Sequence, residues 1–160
     1  RGVAPGGIGH AALEVVGDRA GESAMRLLRQ NHAGSRILLA EDNLINQEII
    51  VDLLSDLHLS VDVAANGNEA VALAEAYAYD LVLMDMYMPE LDGLEATRRI
   101  RALPTGARTP IVALTANAFE EDRERCLAAG MNDYLAKPVE PDDFFAMLLN
   151  WLVRSREEQA

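Results

Sequence analysis

From Arg36 onward, short apolar runs alternate with stretches of helical period. "RILLA" at 36–40 predicts a first strand, "SVDVAAN" at 60–66 a second and "DLVLMD" at 80–85 a third. "IVALTA" at 111–116 and "DYLAK" at 133–137 follow as the fourth and fifth. Between the first two strands Ile45, Ile49, Leu53 and Leu57 recur every four residues, the spacing of one buried helix face. Ala70, Leu73, Ala74 and Tyr77 make the stripe of the next helix, which the Asn66-Gly67 turn introduces. A helix over 94–103 stops before Pro104, and a charged helix from about Ala118 to Ala129 ends at Gly130, a residue suited to a left-handed C-terminal cap. After Pro138 and Pro141 a last helix is expected to bury Phe145, Leu148, Leu149 and Leu152. Five β/α units in succession predict an α/β fold, a parallel sheet doubly wound with five helices.

Residues 1–34 read differently, as a linker with one helical stretch in "AALEVVGDRAGESAMRLLRQ" before "NHAGS" breaks the pattern. The folded domain is expected over 35–156, with 157–160 as a tail. "GIGHAA" at 7–12 matches the dinucleotide fingerprint, but no strand precedes it, and chance is the better explanation. An arginine in first place marks the chain as an expected piece of a longer one.

Composition narrows the function classes. A chain of 160 residues suits one domain with an extension. A net charge of -12 argues against nucleic-acid partners, whose phosphates are met by Lys and Arg, and favours a cation or a basic protein surface. Cys126 is the single cysteine, which rules out an intrachain disulfide and any Cys/His metal spacing and fits a cytoplasmic setting. The uncharged run "FFAMLLNWLV" at 144–153 is shorter than the roughly 20 residues a bilayer needs, so no direct membrane contact is expected.

The polar residues stand where a doubly wound sheet binds ligands, at the carboxyl ends of strands. Glu41 and Asp42 end the first strand, Asp85 the third, Thr115 the fourth and Lys137 the fifth. In the order 2-1-3-4-5 the first and third strands are neighbours, which gathers Glu41, Asp42 and Asp85 in one cleft. Crowded carboxylates resist ionisation, and a hard divalent cation such as Mg²⁺ relieves the repulsion while leaving positions for phosphate oxygens. Lys137 then supplies a positive charge and Thr115 a hydroxyl donor, the parts of a phosphoryl-transfer site.

"LLAEDN", "LVLMDMYMPELDG", "IVALTA" and "YLAKP" resemble the response-regulator receiver domain, and "EDNLINQE" is similar to receivers attached to hybrid sensor histidine kinases. The likeness spans roughly residues 35–155. The flavodoxin-like strand order comes with this resemblance, not from the periodicity. It implies that Asp85 accepts a phosphoryl group from a phosphohistidine, in an activity limited to self-phosphorylation and autodephosphorylation. It further implies that Asp42 binds Mg²⁺ directly, Glu41 through water, and the Tyr87 backbone carbonyl beside Asp85 completes the set. Lys137 and Thr115 would contact phosphoryl oxygens, Thr115 and Tyr134 would form the conformational switch, and Lys137–Pro138 would be cis. Ala116 would leave phosphate access, while the Tyr87 side chain at the site mouth would hinder the hydrolytic water. A histidine kinase or histidine-phosphotransfer domain would dock beside the first helix of the unit, near Ile45 and Ile49. Homodimerisation through its fourth and fifth helices is the family habit.

Taken singly, each residue has a plainer role. Asp42 or Asn43 could be a helix cap, Asp85 a turn residue, Thr115 a strand-end hydroxyl, Lys137 a solvated loop lysine and Tyr134 an edge of the core. Their joint occurrence at the correct strand ends favours the phosphoacceptor. Two alternatives stay open, a phosphate-independent docking module of the same fold and a stand-alone response regulator. A free-standing Mg²⁺ phosphatase lacks a general acid and a lid. His10, His32 and His58 are expected at the surface, Trp151 in packing, and Cys126 without a role.

Overall fold

The computed structural model describes residues 21–116 and 120–159; "GIGHAA", His10 and the expected helix start at Ala118 lie outside them. Five parallel strands form one sheet in the order β2-β1-β3-β4-β5. They are β1 (Arg36–Ala40), β2 (Ser60–Ala64), β3 (Leu81–Asp85), β4 (Ile111–Thr115) and β5 (Asp133–Ala136). The helices are α1 (residues 21–31), α2 (Leu44–Ser55), α3 (Gly67–Ala76), α4 (Gly93–Arg101), α5 (Glu120–Ala129) and α6 (Pro141–Gln159). β3 and β4 are buried along their whole length, as central strands covered on both faces must be, which is why they read as unbroken apolar runs.

The sheet divides the core in two. One cluster joins Leu38, Met84, Met86, Ala96 and Ile100 under α3, α4 and α5. The other joins Ile37, Leu39, Leu83 and Leu114 to Ile50 and Leu54 of α2 and to Phe144, Leu148 and Leu152 of α6. Helix starts follow local chemistry: Asn43, Asn66 and Asp92 cap α2, α3 and α4, each accepting from the backbone N–H three residues on. Gly130 closes α5 at φ +108°, where a side chain would be strained, and Met131 N–H bonds back to the Cys126 carbonyl.

Several expectations change. The buried face of α2 is Ile50 and Leu54, continued by Leu57 in the turn beyond, while Ile45 and Ile49 are 68% and 47% exposed. Helix α2 carries apolar residues on two adjacent rows, and spacing alone does not choose between them; the sheet takes the row through Ile50. Tyr77 lies at the C-cap of α3, exposed, with the Arg36 guanidinium 4.6 Å from its ring centre. His32 is buried, not superficial, at 3% exposure. Helix α6 runs to Gln159, past the expected start of a tail.

The N-terminal stretch contributes to the core. Ala24 and Leu28 of α1 are buried in the cluster that holds Leu57, Leu148 and Leu152. Gly21 lies against Asp142 at the start of α6, Ala24 and Leu27 face Ala146 and Val153, and His32 reaches Leu152 and Arg156. Helices α1 and α6 therefore run parallel. Arg29 adds a 2.6 Å bond from Nε to the Asp56 carbonyl at the end of α2.

Candidate functional site

The carboxyl ends of β1, β3, β4 and β5 converge on one polar cleft. Glu41 follows β1 directly and is fully buried. Its backbone N–H donates to the Ala64 carbonyl at 3.0 Å, and its Oε2 accepts from Asn43 N–H at 3.1 Å. The Gln47 amide holds the Glu41 carbonyl at 2.6 Å. Asn43, not Asp42, is the cap of α2, so the capping rival for Asp42 falls away; Asp42 is exposed beside the cleft. Asp85 ends β3 at 5% exposure and accepts a long 3.3 Å bond from Tyr87 N–H, while Asp92 caps the helix that follows. Gly93 makes this junction possible, because a Cβ there would collide with the Asp85 carbonyl.

Oxygens of Glu41, Asp42 and Asp85 lie within 4.8 Å of one another. Lys137 reaches into the group from the end of β5, its Nζ 2.7 Å from Glu41 Oε1 and 3.3 Å from Asp85 Oδ1. The Lys137 backbone N–H donates to the Thr115 carbonyl at 2.8 Å, and the Lys137–Pro138 peptide is cis as expected. Thr115 is buried at the end of β4, one register step from Asp85, which pairs with Leu114. Ala116 follows it, exposed. All of the sequence-derived acids, the lysine and the threonine thus meet in one place.

The electrostatics are those of a site short of positive charge. Burial and then the neighbouring Glu41 charge push Asp85 up to about 7, with Lys137 offsetting part of the rise. Burial alone would lower Lys137, but its hydrogen bond to Glu41 and the charges of Asp85 and Glu41 hold it above its ordinary value. One ammonium faces three carboxyl groups. The donors are all oxygens, and two of the three acids are buried, which fits a small hard divalent cation.

Two contacts could not be read from the sequence. Arg125 of α5 donates from Nη1 to the Tyr87 phenol oxygen at 3.3 Å, and the Arg123 guanidinium lies 5.4 Å from the Tyr134 ring centre. Tyr134 sits within β5, half-buried, and packs against the α3–α5 side of the core. No spacing signal links residues so far apart on exposed surfaces.

The response regulator receiver domain family matches residues 37–149, more than half of the chain. The chain belongs to this family. The receiver is 52% identical to the receiver domain of a sensor histidine kinase from Pseudomonas aeruginosa PAO1, solved with a magnesium ion in its active-site cleft, at a TM-score of 0.71 over 75% of this chain and 98% of that one. It is 34% identical, at a TM-score of 0.69, to the receiver of the Saccharomyces cerevisiae response regulator Ssk1, solved with the histidine phosphotransfer protein Ypd1, over 74% of this chain and 89% of that one. It is 44% identical over 125 residues to hybrid signal transduction histidine kinase B of Dictyostelium discoideum, covering 71% of this chain and 6% of that protein. With the histidine-protein kinase BarA of Escherichia coli it shares 39% over 115 residues, 72% of this chain and 12% of that one. The receiver thus spans a small part of these kinases and is homologous to their receiver segments. Among the described residues no helix is long and apolar enough to cross a membrane.

Proposed function

We propose that this two-component receiver takes a phosphoryl group from a phosphohistidine onto Asp85. An Asp85 carboxylate oxygen bonds to phosphorus as the bond from phosphorus to the imidazole nitrogen breaks, leaving an acyl phosphate. Asp42 and Asp85 would hold Mg²⁺ with the Tyr87 backbone carbonyl, and Glu41 through water. When bound there, the cation would supply positive charge to the phosphoryl oxygens. Lys137 supplies the second positive charge, leaving its contact with Asp85 for a phosphoryl oxygen. The Thr115 hydroxyl takes another, and Tyr134 turns as Thr115 is drawn in.

The observation that carries this reading is the placement of the Lys137 ammonium between Glu41 and Asp85 in a cluster of three carboxylates at the strand ends. Its retention of all five polar residues favours a phosphoacceptor over a docking module that signals without phosphate. The donor is a histidine kinase or phosphotransfer domain, received by the exposed side chains of Leu44, Ile45 and Ile49 on α2. The homology to hybrid kinases supports a cytoplasmic receiver within such a polypeptide, self-association would use α5 and α6, and the buried face of α1 makes it part of the folding unit.

Intact mass after incubation with acetyl phosphate tests the central claim. A Mg²⁺-dependent phosphoryl adduct, absent from Asp85→Asn, is the expected result. A folded protein that gains no adduct and binds no beryllofluoride would move the reading to the docking module.

A further inference from the structure

Resting on the phosphoacceptor reading, the geometry points to Arg125 as a positioning residue that sets the lifetime of the acyl phosphate by holding the Tyr87 ring across the mouth of the cleft. The Tyr87 backbone begins at the acceptor, with its N–H turned onto Asp85 Oδ1. Its side chain ends on a different element, with the phenol oxygen 3.3 Å from Arg125 Nη1 on α5. Helix α5 follows β4, and β4 is the direct neighbour of β3 in the sheet. A side chain that starts above β3 and ends on the helix after β4 spans the opening between Asp85 and Thr115. Ala116, beside Thr115, is too small to share in covering it.

The ring is 51% exposed and packing alone does not select its rotamer. The charge-assisted contact with Arg125 does so, and Asp122, 3.6 Å from the same Nη1, steadies the guanidinium from the preceding turn of α5. Loss of the acyl phosphate requires a water oxygen to attack phosphorus in line with the departing Asp85 oxygen. The new bond joins water oxygen to phosphorus, and the old bond breaks with its electron pair left on the Asp85 carboxylate. The water protons are shared between the released inorganic phosphate and solvent. The line of attack enters through the mouth, so a ring held there excludes water. An incoming small donor such as acetyl phosphate uses the same approach, so freeing the ring speeds uptake as well as loss. A merely structural role for Arg125 would not raise both rates.

The test follows uptake from acetyl phosphate and then, after its removal, decay of the phosphorylated chain, both by intact mass in Mg²⁺ buffer, and the two rates should rise together in the Arg125 and Tyr87 variants. Arg125→Ala and Tyr87→Phe, each of which removes the tether and keeps the ring, are expected to decay about threefold faster than the unaltered chain, and Tyr87→Ala about tenfold faster. The double variant Arg125→Ala/Tyr87→Phe should decay no faster than either single, because both changes break one contact. Arg125→Lys should restore part of the lifetime, and Glu124→Gln, on the same helix, should leave it unchanged. Unchanged decay in the Arg125 and Tyr87 variants, additive rates in the double variant, or an equal gain in Glu124→Gln would overturn the inference. No Asp85 adduct on the unaltered chain would instead overturn the phosphoacceptor reading, and this inference with it.

Discussion

Helices α5 and α6 pack on opposite faces of the sheet and are attached to it by opposite means. Helix α6 buries Phe144, Phe145, Met147, Leu148 and Leu152, and α1 lies parallel to it with Ala24 and Leu28 buried in the seam. Helix α5 buries Cys126 and Ala129, and its other described contacts are polar: Arg125 to Tyr87 and Arg123 over Tyr134. Apolar burial is worth a few kcal/mol per large side chain, whereas an exposed arginine–aromatic contact is worth about one or less. The α1–α6 seam is therefore expected to open only with the whole domain. Helix α5, next to the proposed acceptor Asp85, is held by less and is expected to shift at smaller cost.

The largest expected effect lies in the seam. Leu28→Ala should lower the unfolding free energy by about 2–5 kcal/mol in urea denaturation, because it leaves a cavity in a fully buried site. A loss below about 1 kcal/mol would make α1 an attachment to the domain and not part of its core. The next effect is pH-dependent and belongs to His32 at the end of that seam. Burial first, and then the Arg156 charge, hold its imidazole below the ordinary 6.5, with Asp80 pulling weakly the other way. The folded protein therefore keeps the ring neutral where the unfolded chain takes up a proton, and stability is complete above that value and lost as pH falls below it. The fall in Tm between about pH 7.5 and pH 5.5 should be smaller in His32→Gln than in the unaltered chain. Asp85, pushed up to about 7, works in the opposite sense but acts on both proteins alike. An equal fall in the two would remove His32 from the account. The smallest effect is on α5, where Arg123→Ala should cost less than about 1 kcal/mol. It should nevertheless speed amide hydrogen exchange in α5 and leave α6 unchanged; uniform acceleration would erase the contrast between the two helices.

The same contrast explains what the sequence could reveal. Asp85 was legible because an apolar run that ends in a carboxylate is unusual, and the sheet topology gives every strand end a common destination. The acids, Lys137 and Thr115 are brought together by that rule. The face of α2 was not legible, since Ile45, Ile49, Ile50 and Leu54 offer two rows to one sheet. The seam was hidden for the opposite reason: the apolar group Ala24, Met25, Leu27 and Leu28 spans little more than one turn, too short to show a face, and the apolar surface of α6 gives Ala24 and Leu28 their partner. His32 looked superficial because nothing near it in sequence predicts Leu152 and Arg156 beside it. Tyr87 was suspected at the mouth, but Arg125 was not, because an exposed contact between residues 38 apart leaves no periodic trace.

The parallel run of α1 and α6 also fixes where a tether meets the domain. Gly21 lies against Asp142, a few residues beyond Lys137, so α1 begins at the end of the sheet that carries Asp85. A donor domain carried on the N-terminal side of α1, within reach of that end, would meet the site at a local concentration on the order of millimolar. At that concentration even a weakly docking donor on the same chain outcompetes a free one.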